Sequence, residues 1–93
     1  MPTYRGQKVD VILDVRSRLE FILGHIQGAV CIPVDTVAAE VPRRRNISTT
    51  STILVYCQSG ARSATAAGQL RQLGYRKVLD GGGIASVRRE LKP

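Results

Sequence analysis

The sequence of 93 residues has few aromatic and few acidic side chains. It contains no Trp, one Phe and three Tyr, so a hydrophobic core has to be built mainly from aliphatic side chains. Only 7 Asp and Glu stand against 14 Lys and Arg, and the net charge of +7 favours anionic partners. The length suits one domain with a modest core, and we expect residues 1–93 to form a single domain.

Long apolar segments are also missing. No run approaches the roughly 20 apolar residues that a membrane-spanning helix needs, and the amino terminus has no signal-peptide core. We therefore expect no membrane partner. The expected location is cytoplasmic, or periplasmic if a leader has been removed from the chain.

The densest charged cluster is Arg43-Arg44-Arg45, between Pro42 and Asn46. Its neighbours are turn-forming and polar, which indicates a solvated loop rather than a helix that reads a nucleic-acid groove. Surfaces that bind nucleic acids commonly interleave Arg with aromatic side chains, and this chain has too few aromatics for that. We expect no nucleic-acid partner, whereas an acidic protein would suit the charge.

Cysteine and histidine are scarce as well, with two Cys and one His. Two cysteines do not make a disulfide framework, and one His with two separated Cys does not suggest a metal site. Cys31 lies in a β-favouring apolar run, and we interpret it as a small buried core residue. A single Cys31–Cys57 disulfide is an alternative that the sequence leaves open. His25 precedes a predicted strand and is interpreted as a structural turn residue.

Short apolar runs alternate with helical segments along the chain. The predicted strands are Val9–Val15, Ala29–Ile32, Ile53–Tyr56 and Lys77–Leu79. The predicted helices are Arg16–Leu23 with Leu19, Ile22 and Leu23 inward, Asp35–Val41 with Asp35 as N-cap, and Ala61–Leu73 ended by Gly74. Gly81-Gly82-Gly83 opens a last turn or helix. This order predicts an α/β fold with a small parallel β-sheet flanked by helices on both faces.

The carboxyl ends of parallel strands meet at one edge of a sheet, where α/β proteins place their sites. Asp14, Pro33, Cys57 and Gly81 are all predicted at that edge. Cys57 is the most informative of them, because a small loop containing Gly60 leads from it directly into a helix. The unpaired N–H groups and the dipole of that helix favour an anion. We therefore expect a thiol pKa below the usual value of about 8.5, and a nucleophile.

Four segments, in this order, resemble the rhodanese-like domain family. They are Leu13-Asp14-Val15-Arg16, Gly24–Ala29 leading to Ile32-Pro33, Val55–Cys57 through Arg62-Ser63, and Leu73–Tyr75 through Gly81-Gly82. The compact form is similar to small single-domain bacterial sulfurtransferases of the phage-shock type. The chain departs from the family where a Trp often follows the glycine pair, since it has Ile84–Val87 there. Its short amino-terminal segment also suggests a shortened sheet edge.

The resemblance implies that sulfane sulfur moves from thiosulfate, through a persulfide on Cys57, to cyanide or a thiol acceptor. Cys57 would be the catalytic nucleophile, and no cofactor would be needed. The residues that would bind substrate are Gln58, Ser59, Gly60, Ala61, Arg62 and Ser63. Backbone N–H groups of this loop would surround the terminal sulfur, and Arg62 would add positive charge for an oxyanion or organise the loop. Asp14 and Arg16 are expected to fix the sheet edge, with Arg16 reaching Glu20.

Two alternatives differ from this function. One is a persulfide carrier that serves protein partners, with an acidic partner docked on Arg43–Arg45 or Arg88–Arg89. The other is a cysteine phosphatase, which resembles this chain in its Cys-to-Arg loop but has five residues between the two. Here only four residues separate Cys57 from Arg62, so a phosphoryl group would fit poorly.

Overall fold

The computed structural model describes all residues from Met1 to Pro93. Its strands are β1 (Thr3–Tyr4), β2 (Gln7–Lys8), β3 (Val11–Asp14), β4 (Val30–Cys31), β5 (Thr52–Cys57), β6 (Lys77–Gly83) and β7 (Leu91–Lys92). Its helices are α1 (Arg18–Leu23), α2 (Val37–Glu40), α3 (Ala61–Gln72) and α4 (Ile84–Glu90). Single 3-10 turns at Val34–Thr36 and Val41–Arg43 flank α2.

The main sheet consists of four parallel strands in the order β4-β3-β5-β6. All six residues of β5 are buried, as expected for a central strand covered on both faces. The side chains of β3 and β5 alternate between two apolar clusters. The cluster on one face joins these strands to α2 and α3 and includes Leu13, Ile53, Val55, Val37, Ala66 and Leu70. The cluster on the other face joins them to α4 and includes Ile12, Leu54, Tyr56, Ile84 and Val87. The predicted α/β class is therefore confirmed.

The ends of the chain form a second sheet that the sequence analysis did not predict. Strands β2, β1 and β7 pair in that order, and both pairings are antiparallel. Arg5 and Gly6, both with positive φ, make the two-residue turn between β1 and β2. The sheet covers part of the α4 side, because Tyr4 joins the cluster there.

Several predicted elements differ from the observed ones. The interpretation of Cys31 as a small buried core residue is wrong, because β4 is a two-residue edge strand and leaves Cys31 partly exposed. Asp35 is not an N-cap, since it lies inside a 3-10 turn and its side chain makes no capping hydrogen bond. Strand β6 continues past Leu79 to Gly83, because the glycines pair with β5 around a register shift. No helix combines the length and the apolar character needed to cross a membrane.

Helix α1 begins later than predicted and faces differently. Ser17 and Glu20 form a reciprocal capping box at its start, and Gly24 follows its end. The prediction that Leu19, Ile22 and Leu23 point into the core is wrong, because these side chains are 67%, 74% and 79% exposed. The Ser17 hydroxyl accepts the N–H of Glu20, and the Glu20 carboxylate binds Arg62, so polar contacts hold this helix to the rest of the fold.

Candidate active site

Glycine residues allow the tight path of the loop at the carboxyl end of β5. The buried strand ends at Cys57, and Gly60 has a φ of 111°, a conformation that favours glycine. Gly83 runs so close to the loop that a Cβ there would lie 2.9 Å from the carbonyl oxygen of Gln58. The predicted close approach of the glycine run to the Cys57 loop is therefore confirmed.

Backbone N–H groups surround the sulfur of Cys57. The N–H of Gly60 donates to Sγ at 3.0 Å, and the N–H of Ser63 donates at 3.4 Å. Burial of the thiol raises its pKa, but hydrogen bonds from Ser63, Gly60 and Ser59 outweigh this effect, and the pKa falls below its ordinary value. The geometry thus favours a thiolate, as the sequence led us to expect.

Arg62 lies in the first turn of α3, between the two cradle donors Gly60 and Ser63, and is paired with a carboxylate. Its two terminal nitrogens donate to the two carboxylate oxygens of Glu20, at 2.7 and 3.0 Å. The Arg62 guanidinium and hydrogen bonds from Ser17 lower the pKa of Glu20 to about 2. The positive charge of Arg62 is therefore largely compensated, which favours its role in organising the loop over binding a substrate oxyanion.

Ser63 is tied to β6 through its hydroxyl. The hydroxyl lies 2.8 Å from Oδ1 of Asp80 and 3.0 Å from the carbonyl oxygen of Gly60. The same Oδ1 accepts the N–H of Gly82 at 3.0 Å. Asp80 thus links the start of α3 to the glycine end of β6, and the sequence analysis did not identify it.

Asp14 and Arg16 form a buried ion pair at the carboxyl edge of the sheet. The Asp14 carboxylate accepts from the Arg16 side chain at 2.7 Å and from the Tyr56 hydroxyl at 2.7 Å. Arg16 also donates to the carbonyl oxygen of Gly24. The expected role in fixing this edge is confirmed, but the expected contact of Arg16 with Glu20 is wrong, because Glu20 is bound to Arg62.

The remaining loop residues face outward. The side-chain oxygen of Gln58 accepts a hydrogen bond from Arg16 at 3.1 Å, so this side chain braces the loop. Ser59 and Ala61 are exposed. Of the six predicted substrate-binding residues, Gly60 and Ser63 contact the sulfur of Cys57, whereas Gln58 and Arg62 direct their polar groups to protein partners.

His25 stands apart from this chemistry. Its Nδ1 lies 2.8 Å from the carbonyl oxygen of Phe21, and its ring stacks on the Phe21 ring with centroids 3.6 Å apart. These contacts support the interpretation of His25 as a structural turn residue. No group of three or more His, Cys, Asp and Glu side chains converges as metal ligands.

A pocket of about 260 Å³ opens beside the loop. Seven residues line it: Arg16, Glu20, Leu23, Gly24, Gln58, Ile84 and Arg88. Ile84 and Val87, in the segment where the family often has Trp, are buried in the apolar cluster under α4.

Sequence reasoning missed Glu20 and Asp80 as site residues. The Ser17-x-x-Glu20 capping pattern was a visible signal for the first, whereas no local pattern marks the second.

Comparison with known proteins agrees with this geometry. The profile of the rhodanese-like domain matches residues 4–85. A protein of Allochromatium vinosum named sulfurtransferase is 38% identical over 88 residues, covering 88% of this chain and 77% of that protein. The chain belongs to the rhodanese-like domain family.

Some curated relatives of this rhodanese-like chain are larger than it. The tRNA uridine(34) hydroxylase of Cronobacter sakazakii is 32% identical over 84 residues, and the chain spans about a quarter of its length, 24%. Among solved structures, a rhodanese with anions from E. coli has a TM-score of 0.79 at 28% identity, covering 88% of this chain and 95% of that one. A human single-domain sulfurtransferase has a TM-score of 0.73 at 26% identity, covering 86% and 82%.

Proposed function

We propose that this rhodanese-like chain transfers sulfane sulfur from thiosulfate or a similar donor, through a persulfide on Cys57, to cyanide or a thiol. The observation that carries the proposal is the cradle around Sγ, in which the N–H groups of Gly60 and Ser63 point at the sulfur. Such donors stabilise a large, diffuse anion without a metal or an organic cofactor.

The chemistry has two displacement steps. The Cys57 thiolate attacks the outer sulfur of thiosulfate, the sulfur–sulfur bond of the donor breaks, and sulfite leaves with the electron pair. Cyanide then attacks the outer sulfur of the persulfide, thiocyanate leaves, and the thiolate is restored. Both steps begin from or return to the thiolate, so the lowered pKa of Cys57 serves each of them.

The contacts of Arg62 argue against phosphatase activity. A phosphatase of this type needs an arginine that is free to bind the equatorial oxygens of a phosphoryl group. Here Glu20 occupies both terminal nitrogens of Arg62, and only four residues separate Cys57 from Arg62. The short loop and the ion pair both disfavour a bound phosphoryl group.

The test is thiocyanate production from thiosulfate and cyanide by the purified chain, beside Cys57→Ala. Intact mass is measured before cyanide is added. We expect the wild type to gain one sulfur that cyanide removes, and Cys57→Ala to gain none. If Cys57→Ala still gained the sulfur and still formed thiocyanate, the assignment of Cys57 would be refuted. A wild type that takes no sulfur from thiosulfate would refute thiosulfate as the donor.

A further inference from the structure

Helix α1 carries an apolar stripe that the fold does not use. Leu19, Ile22 and Leu23 are three of the five large hydrophobic side chains that the chain exposes. Their spacing places them on neighbouring positions of one helical face. No residue of α1 is buried, and polar contacts at Ser17 and Glu20 anchor the helix. The core therefore offers no explanation for this stripe.

The stripe lies beside the Cys57 loop. Leu23, at the end of α1, lines the same pocket as Gln58, which directly follows Cys57. Glu20, on the same helix, binds Arg62 at the start of α3. A molecule that covered the stripe would thus approach the loop that holds the sulfur.

An unpaired cation borders the same pocket. Arg88 of α4 lines it and makes no salt bridge or side-chain hydrogen bond, in contrast to Arg16 and Arg62. Its Nη2 lies 3.9 Å from the position that a Cβ would occupy at Gly24, directly after α1. We call Leu19, Ile22, Leu23 and Arg88 together the α1 surface.

We propose that the α1 surface docks a protein thiol acceptor whose cysteine is flanked by apolar and acidic side chains. Thiosulfate is a small inorganic dianion and gains nothing from an apolar stripe, so a larger partner is required to explain it. The free guanidinium of Arg88, on a chain of net charge +7, selects an acidic partner. This inference rests on the proposed function.

The transfer to such a partner is balanced within the two thiols. The partner's thiolate attacks the outer sulfur of the Cys57 persulfide, the sulfur–sulfur bond to Cys57 breaks, and Sγ leaves as the thiolate. The partner then carries the persulfide. No oxidant or reductant is consumed.

The sequence suggested two arginine clusters for an acidic partner, and the structure favours the one that contains Arg88 over Arg43–Arg45. Asn46, next to Arg43–Arg45, lines a groove with Val9 and Asp10, which precede β3. That groove lies at the amino edge of the sheet, whereas Cys57 lies at the carboxyl edge. The cluster is therefore poorly placed to bring an acceptor thiol to the persulfide.

The test uses the full chain loaded with sulfur at Cys57 and two short peptides. One peptide carries Cys between Leu and Glu residues, and the other replaces each Glu by Lys. We expect the acidic peptide to remove the sulfur at least about tenfold faster at low salt, with the advantage shrinking as salt is added. Arg88→Gln should reduce the preference, whereas the matched Arg89→Gln should preserve it.

The apolar part of the surface is tested by Leu19→Gln/Ile22→Gln, with Leu73→Gln as the control for an exposed leucine elsewhere. The double variant should slow transfer to the acidic peptide about tenfold and leave the thiosulfate–cyanide reaction unchanged. Equal rates for both peptides, or an unaffected double variant, would overturn the docking proposal.

A Cys57 that takes no sulfur refutes the proposed function instead. Binding of the acidic peptide with Ser in place of Cys then tests the surface alone, and equal affinity of wild type and double variant rejects it.

Discussion

Two cysteines end two strands of the same parallel sheet, yet their surroundings are opposite. Cys57 ends β5 and Cys31 ends β4, with β3 between them, and both are free thiols. The sulfur of Cys57 accepts backbone N–H groups, and its pKa is lowered. The sulfur of Cys31 instead faces the carbonyl oxygen of Arg16 at 3.8 Å, and burial and the charge of Asp14 raise its pKa.

The residues that follow each strand cause this difference. After Cys57, a short loop turns into α3 and directs free N–H groups back at the sulfur. After Cys31, the N–H of Ile32 is bound to the carbonyl oxygen of Asp14, and Pro33 has no N–H at all. A position at the carboxyl edge of the sheet is therefore not sufficient for a reactive thiol, because the following turn has to supply the donors.

The largest expected effect is the contrast between Cys57→Ser and Cys31→Ser. Loss of the nucleophile should reduce sulfur transfer by about 10³-fold or more, since the other thiol, Cys31, has no backbone donors at its sulfur. Cys31→Ser should remain within about threefold of the wild type, because its sulfur contacts no loop donor. Thiocyanate formation and circular dichroism of both variants are the measurements. Similar losses in both would mean that the two sites are not distinct.

The second prediction displaces the donors without touching the thiol. In Gly83→Ala the new Cβ would meet the carbonyl oxygen of Gln58 at 2.9 Å, so the loop has to move. A shift of about 1 Å should lower the transfer rate about 100-fold. Gly68→Ala is the matched control, because nothing lies within 4 Å of its Cβ and α3 should gain about 0.5–1 kcal/mol. Unchanged transfer in Gly83→Ala would show that the loop tolerates displacement.

Much of this contrast could be predicted from the sequence. Continuous apolar runs such as Ile53–Tyr56 indicate strands buried on both faces. The glycine loop that leads from Cys57 into a helix indicates that this thiol lies at the amino end of the helix. The buried state expected for Cys31 was wrong because the same apolar pattern does not reveal that β4 stops after two residues at the sheet edge. Burial depends on which strand covers the edge, and this is a property of the whole sheet.

Polar contacts between residues that are far apart in the sequence also could not be predicted from it. The spacing of Leu19, Ile22 and Leu23 is the same for a core stripe and for an exposed stripe, so it could not reveal that these side chains face outward. The contact of Glu20 with Arg62, which helps to hold the helix, joins residues that are far apart in the sequence. Likewise, Asp80 becomes a site residue because α3 brings Ser63 to it. The two-residue strands β1, β2 and β7 are too short to show any periodicity, although Arg5-Gly6 was a usable turn signal.

The third prediction measures the two thiols directly. Alkylation by iodoacetamide is followed against pH, for Cys57 in Cys31→Ser and for Cys31 in Cys57→Ser. The rate of each thiol rises with its thiolate fraction, so the inflection should fall below the ordinary cysteine pKa for Cys57 and above it for Cys31. The inflection reports the pKa independently of how accessible each sulfur is. Coincident inflections would contradict the assigned role of the backbone donors.

The smallest expected effect comes from Ser63→Ala. The variant keeps the Ser63 N–H that points at Cys57 but removes the hydroxyl that binds Asp80, and a hydrogen bond of this kind contributes about 1 kcal/mol. Transfer should therefore fall about fivefold, with the alkylation inflection of Cys57 moving upward. Thr65→Ala, which removes an exposed hydroxyl from the same helix, should change neither. A loss as large as that of Gly83→Ala would mean that the hydroxyl itself contacts the transferred sulfur, whereas a small loss assigns stabilisation of the thiolate mainly to the backbone.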